Sequence, residues 1–125
     1  MKRIISTPNA PQAIGSYSQA VDVNGTLYIS GQVPLIAKTM KVVEGGIVEQ
    51  TEQVMKNIGA ILEAAGYTFS DVVKSTCLLS DMGDFKAMNE VYATFYTEEQ
   101  PARAAFAVKE LPLGVLVEIE TIAAK

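Results

Sequence analysis

Histidine is missing from all 125 residues, and cysteine occurs once, as Cys77. The first absence removes Ser-His-Asp and Cys-His chemistry and every zinc site that needs an imidazole. The second removes intrachain disulfides and thiolate-cluster metal sites. No apolar run approaches the roughly 18 residues needed to span a bilayer. The opening Met1-Lys2-Arg3-Ile4-Ile5-Ser6-Thr7-Pro8 carries no long apolar leader segment. A reducing, cytoplasmic setting fits this pattern, with neither metal nor cofactor expected.

Basic charge is also scarce. Ten Lys and Arg face fourteen Asp and Glu, for a net charge of −4. The eight lysines (Lys2, Lys38, Lys41, Lys56, Lys74, Lys86, Lys109, Lys125) are scattered singly, so no basic patch marks a nucleic-acid surface. Charged residues make up 19% and hydrophobic ones 49%, against roughly 25% charged in an ordinary globular chain. Such a sequence either packs its core efficiently or presents apolar surface to another subunit. Its length is that of a single domain, residues 1–125.

There are two arginines, Arg3 and Arg103. Arg103 lies among small and apolar neighbours in Pro101-Ala102-Arg103-Ala104-Ala105-Phe106-Ala107-Val108. A guanidinium cannot shed its charge, so in apolar surroundings it needs an anionic partner from the protein or from a ligand. Val115-Leu116-Val117-Glu118-Ile119-Glu120-Thr121-Ile122 follows, with two carboxylates in a strand-like run. Arg103 therefore either pairs structurally with Glu118 or Glu120 or holds a ligand's anion. The two Glu, at i and i+2, share a face; they either meet water on an edge strand or do chemistry, one directly and the other as a modulator.

Turn signals divide the chain into an α+β pattern. Lys2 to Ser6 reads as a short strand. Ser18 to Val23 and Thr26 to Val33 read as a hairpin closed by Asn24-Gly25. Ile47 to Ala65 has helical apolar spacing and ends before Gly66. Val72 to Leu79 is a β-branched strand. Asp84 is placed to cap a helix from Phe85 to Tyr96. Arg103 to Val108 and Val115 to Ala123 are the last strands, joined through Leu111-Pro112-Leu113-Gly114. Two helices then cover one face of a mixed sheet of five to six strands.

Alternation assigns the faces. Leu27, Ile29 and Val33 oppose Tyr28, Ser30 and Gln32; Phe106 and Val108 oppose Arg103, Ala105 and Ala107; Val117 and Ile119 oppose Glu118 and Glu120. The second face, too apolar for water because Leu116 and Ile122 accompany the acids, is expected to meet other copies of the chain. A cleft lined by Arg103, Glu118 and Ser30 would remain there. Cys77, Met55 and Met88 read as core residues, and glycine-rich phosphate loops are absent.

In order along the chain stand Ala13-Ile14-Gly15-Ser16-Tyr17-Ser18-Gln19-Ala20, Tyr28-Ile29-Ser30-Gly31-Gln32-Val33-Pro34, Gln50-Thr51 through Asn57-Ile58 and Val73-Lys74-Ser75-Thr76. Asp81-Met82-Gly83-Asp84-Phe85, Met88-Asn89-Glu90-Val91-Tyr92, Pro101-Ala102-Arg103 and Leu111 through Glu120 complete the set. Together they resemble the Rid (YjgF/RidA) family of imine and enamine deaminases over essentially the whole chain. The resemblance implies a chorismate-mutase-like fold and a homotrimer with sheets inside, helices outside and clefts between subunits. It implies that Arg103 binds a substrate carboxylate and that Glu118 positions water, with Glu120 a less direct acid. Tyr17, Ser30, Gly31, Asn89 and Ala105 would complete the binding pocket.

Two segments depart from the family pattern. Ala104 and Ala105 replace a Ser-Cys or Ser-Thr pair, leaving only a backbone carbonyl at Ala105 to hold substrate nitrogen. Leu35 to Met40 replaces the usual turn. The implied reaction hydrolyses 2-imino acids such as 2-iminobutanoate and 2-iminopropanoate to 2-oxo acids and ammonia. Its rivals are a small-carboxylate-binding regulatory module without turnover, and an RNA-acting translation inhibitor or endoribonuclease.

Overall fold

The computed structural model describes residues 1–125. Its elements run β1 (Arg3–Ile5), β2 (Ala20–Val23), β3 (Thr26–Gln32), β4 (Leu35–Ile36), β5 (Lys41–Val42), α1 (Ile47–Ala65), β6 (Val72–Leu79), α2 (Phe85–Ala93), β7 (Ala102–Ala107) and β8 (Val117–Ala124). Six strands form one mixed sheet in the order β1-β2-β3-β8-β6-β7. Only β6 and β7 run parallel, because the chain crosses between them through α2 and so returns in the same direction. β8 pairs with β3 on one side and β6 on the other. Leu111–Gly114 therefore connects two strands that are not neighbours.

The helical layer covers one face. On α1 the buried positions include Val54, Met55, Ile58, Ile61, Leu62 and Ala65, the spacing of a single helical stripe. They join Leu27 and Ile29 of β3, Cys77 and Leu79 of β6, Val117 and Ile119 of β8, and Met88 and Tyr92 of α2 in one apolar cluster. Each such large aliphatic side chain contributes about 1.5–3 kcal/mol on burial. Gly66, at φ 85°, terminates α1 where expected.

Buried amides fasten the loops to this core. Asn57 donates to the carbonyls of Val33 (3.2 Å) and Leu35 (2.9 Å), tying the exit of β3 to α1. The Gln50 side-chain oxygen accepts from the Leu116 N–H at 2.7 Å and so fixes the entry to β8. Gln19 donates to the carbonyls of Thr7 and Pro11 and accepts from the Thr7 N–H. Backbone groups that leave the sheet would otherwise lie buried without partners.

Two local expectations need correction. α2 stops at Ala93 instead of Tyr96, although Tyr96 remains buried in the turn beyond it. Asp84 makes no side-chain cap; Asp81 instead accepts from the Gly83 N–H at 2.7 Å, capping the 3-10 turn that leads into α2. The unusual segment after Pro34 forms the small β4–β5 ribbon. The Asn24-Gly25 hairpin is found as read, with φ of 50° and 79°, the left-handed pair that a two-residue turn requires.

The other sheet face has no helix over it. A row across five strands places Ile4 opposite Val21, Val21 opposite Tyr28, Tyr28 opposite Ile122, and Ile122 opposite Lys74. Tyr28 and Phe106 are 49% and 48% exposed there.

Candidate active site

Arg103 stands on the edge strand β7, opposite Ser75 of β6. Its guanidinium carbon sits 5.2 Å from the Phe85 ring centroid and 5.1 Å from that of Tyr92, and its Nη1 donates to Asn89 Oδ1 at 2.6 Å. Phe85, Asn89 and Tyr92 fall at i, i+4 and i+7 of α2, one helical face, so the helix delivers all three to the same cation. Aromatic stacking contributes about 0.5–1 kcal/mol per ring at an exposed site. No carboxylate lies within 4.0 Å of Arg103: the one ion pair in the chain joins Arg3 to Asp22 at 2.7 Å. The structural ion pair with Glu118 or Glu120 does not form. Asn89 takes one N–H of the guanidinium fork and leaves the rest available. Beside it opens a cleft of about 390 Å³ lined by Asn89, Tyr92, Tyr96, Pro101 and Arg103 among others.

Glu118 occupies β8 opposite Leu78 and in line with Phe106 beyond it. The carboxylate is half-buried and accepts no hydrogen bond from the protein. Burial first, and then repulsion from Glu120, hold its pKa above the ordinary carboxylate value. It lies against Gly31, where a Cβ would come within 3.0 Å of the carboxyl carbon. That close approach coincides with an irregularity in the β3–β8 register between Ile29 and Gln32. Ser30 beside it donates its hydroxyl to the Ser18 carbonyl at 2.6 Å, and its N–H to the Gln19 carbonyl at 3.0 Å. The Ser18 contact anchors the loop that carries the half-exposed Tyr17.

The face assignment made from alternation is only half right. Glu118 and Glu120 do lie on the helix-free face. Arg103 and Ala105 do not: Ser75 and Cys77, their neighbours across β6, are fully buried under the helices, and Ala105 packs against the apolar core. It is Phe106 that projects from the helix-free face. Small residues on an edge strand gave no signal of which side was covered, because Ala fits either. Gln32 is likewise 5% exposed instead of open, since the bulge at Ser30-Gly31 inverts the alternation after it. Within one chain the structure therefore brings Arg103 and Asn89 together, and separately Glu118, Gly31 and Ser30, on opposite faces of one sheet. Phe85 and Tyr92 escaped notice as arginine partners because their spacing reads equally well as helix core. Cys77 is buried, and desolvation pushes its thiol up to about 11, so it is an inert core residue.

Comparisons with known proteins agree on the ancestry. The family model described as Endoribonuclease L-PSP matches residues 7–125. A mouse protein named 2-iminobutanoate/2-iminopropanoate deaminase is 54% identical over 123 residues, 98% of this chain and 91% of its own length. Among solved structures, RidA from an Antarctic Psychrobacter superimposes with a TM-score of 0.95 at 49% identity, covering 98% of this chain and 99% of that one. Escherichia coli TdcF with bound serine gives 0.93 at 36% identity, covering 98% of each chain. The chain belongs to the Rid (YjgF) family, the group that the Endoribonuclease L-PSP model describes.

Proposed function

We propose that the protein hydrolyses 2-imino acids, and the enamines in equilibrium with them, to 2-oxo acids and ammonia. One observation carries this reading: a guanidinium with free N–H groups and no carboxylate partner coexists with a half-buried carboxylate that has no donor. Relatives about half identical in sequence are named as deaminases of 2-iminobutanoate and 2-iminopropanoate, which supports it. TdcF, solved with serine, shows that a member of this family holds a small molecule bearing an α-carboxylate.

Arg103 takes the substrate carboxylate in a two-point fork, which a lysine cannot offer. This holds C2 in place, and Asn89 with the two rings keeps the guanidinium from swinging. Glu118, ionised, accepts a proton from a water as its oxygen attacks C2 of the C=N bond. The same proton then goes to nitrogen, giving a carbinolamine; Glu118 next takes the proton of the new hydroxyl and passes it to that nitrogen as C=O forms and C–N breaks, so ammonia leaves with the 2-oxo acid behind. A carboxylate whose pKa is raised toward neutrality serves both transfers better than an ordinary one. The imine carbon is already electrophilic, so a covalent nucleophile is not required.

Because Arg103 and Glu118 lie on opposite faces, we assign the complete site to two copies of the chain. One contributes Arg103, Asn89 and the Ala105 backbone, the other Glu118, Gly31, Ser30 and Tyr17. A closed homotrimer of chorismate-mutase-like form, sheets inward, accomplishes this and covers the apolar row of Ile4, Val21, Tyr28 and Ile122. The single buried cysteine suits a reducing cytoplasm.

The test couples an imine-releasing amino-acid oxidase or dehydratase to semicarbazide trapping. Added protein should speed the loss of trappable imine catalytically. Unchanged trapping would end the deaminase reading in favour of a carboxylate binder, and RNA cleavage without imine turnover would favour the nuclease. Subunit mixing tests the shared site. Arg103→Ala and Glu118→Gln chains, each inactive, are unfolded and refolded together; about a quarter of sites should regain both groups by chance pairing in a closed ring. No recovery would place both groups within one copy.

A further inference from the structure

Behind Arg103, on the helix-covered face, a row of hydroxyls runs across the sheet. Arg103 on β7 stands opposite Ser75 on β6, and Ser75 opposite Thr121 on β8. Ser75 and Thr121 are 0% and 1% exposed, and neither hydroxyl has a hydrogen-bond partner. Above it pack Tyr92 of α2 and Tyr96 just past its end, each with the Ser75 hydroxyl among the groups acting on its phenol. Both residues are 5% exposed, and both phenol oxygens are likewise unpartnered. Their rings lie 4.8 Å apart. The Ser75 hydroxyl is near enough to both phenols to offset part of the upward pKa shift that burial imposes on them. The other titratable groups facing this spot are the neutral Cys77 thiol and Arg103. Native interiors rarely leave several hydroxyls unpartnered together; a buried water, with two to four polar partners, is the usual solution.

We propose that Ser75, Tyr92 and Tyr96 bind a buried water molecule, and that this hydrated trio is the positioning element for Arg103. Tyr92 is the link: its ring lies against the guanidinium while its hydroxyl reaches back to the trio. With the water in place the phenol is tethered at its far end, and the ring cannot tilt out from beside the cation. Neither Ser75 nor Tyr96 stacks on Arg103, so the tether they make with the water reaches the guanidinium through the Tyr92 ring. The proposal rests on the reading of Arg103 as the carboxylate anchor, but its test does not depend on turnover.

The test has a structural arm and a binding arm, both on the intact wild-type protein and on Tyr92→Phe and Ser75→Ala. A crystal structure at high resolution should show a density peak at hydrogen-bonding distance, about 2.6–3.2 Å, from the three hydroxyls. Calorimetry with 2-oxobutanoate reports the anchor alone. Each variant should weaken that binding about three- to tenfold, the scale of one lost hydrogen bond, and in the imine assay should raise KM with kcat nearly kept. A dry, merely structural cluster predicts the reverse: removing an unpartnered hydroxyl would raise the melting temperature and leave 2-oxobutanoate binding at the wild-type value. Absence of the density peak, or wild-type binding in both folded variants, would overturn the proposal. Failure of imine turnover with the peak and the binding losses intact would overturn only the deaminase reading.

Discussion

Arg103 lies between two aromatic rings with one N–H on Asn89, whereas Glu118 lies against a bare glycine with no donor in reach. The difference follows from what each charge can do. A guanidinium stays protonated whatever surrounds it, so contacts that hold it still cost it no function. A carboxylate given two or three donors would settle as a stable anion with a depressed pKa. Glu118 has none, and burial together with Glu120 raises its pKa instead. On the proposed function the first region serves grip and the second proton exchange, and substitutions should separate the two.

The largest effect is expected at Glu118. Glu118→Gln keeps the shape and removes the proposed proton shuttle, so kcat in the imine assay should fall about 10²–10⁴-fold while KM stays close to wild type. A change confined to KM would make Glu118 a binding group and erase the contrast. Arg103→Lys should come next. The charge survives and the planar fork does not, so kcat/KM should fall about 10²-fold, chiefly through KM. Arg103 is exposed, so the melting temperature should barely move. Activity near wild type would mean that charge alone suffices there.

Gly31→Ala probes the second region from its other wall. The new methyl meets Glu118 side-chain atoms and not backbone. The carboxylate can therefore rotate aside at the cost of a rotamer, roughly 0.5–1.5 kcal/mol. Turnover should drop about tenfold with little change in melting temperature, since positioning by even 1 Å carries effects of that order or larger. A large stability loss with normal turnover would show that Gly31 serves the bulge and not the carboxylate.

How far the sequence revealed these regions depends on how each residue announces itself. α1 and β6 were legible to the residue because long stripes and β-branched runs have one reading. Glu118 and Glu120 were placed on the correct face because Val117 and Ile119 beside them are unambiguous core residues. Arg103 was placed on the wrong face because its strand offers Ala102, Ala104, Ala105 and Ala107, which pack on either side, and because Phe106 suggested a core it does not join. β7 takes its orientation from the α2 crossover, a non-local fact. The Phe85, Asn89 and Tyr92 spacing was visible, but only the position of the edge strand shows that this face looks at an arginine. The bulge at Ser30-Gly31 inverted Gln32 for a similar reason: Gly31 hinted at close approach, yet what approached it lay 87 residues further on, at Glu118.

The smallest predicted effect is also the most direct test of why Glu118 is held protonatable. Glu120 is the second cause of its raised pKa, after burial, so Glu120→Gln should lower that pKa without restoring an ordinary carboxylate. The acid limb of the kcat profile should move to lower pH. The stability consequence has a definite sign. A group whose folded pKa exceeds its unfolded value of about 4.3 favours the folded state below that value, and this contribution is lost as pH rises through the folded pKa. Removing Glu120 shrinks the loss. The variant should therefore melt slightly above wild type at pH 8 and equal to it near pH 3, where Glu118 is protonated and has no charge for its neighbour to repel, and added salt should narrow the gap at pH 8. An unmoved acid limb would mean that burial alone tunes Glu118, and that the second acid of the Glu118-Ile119-Glu120 stretch has no part in the chemistry of the first.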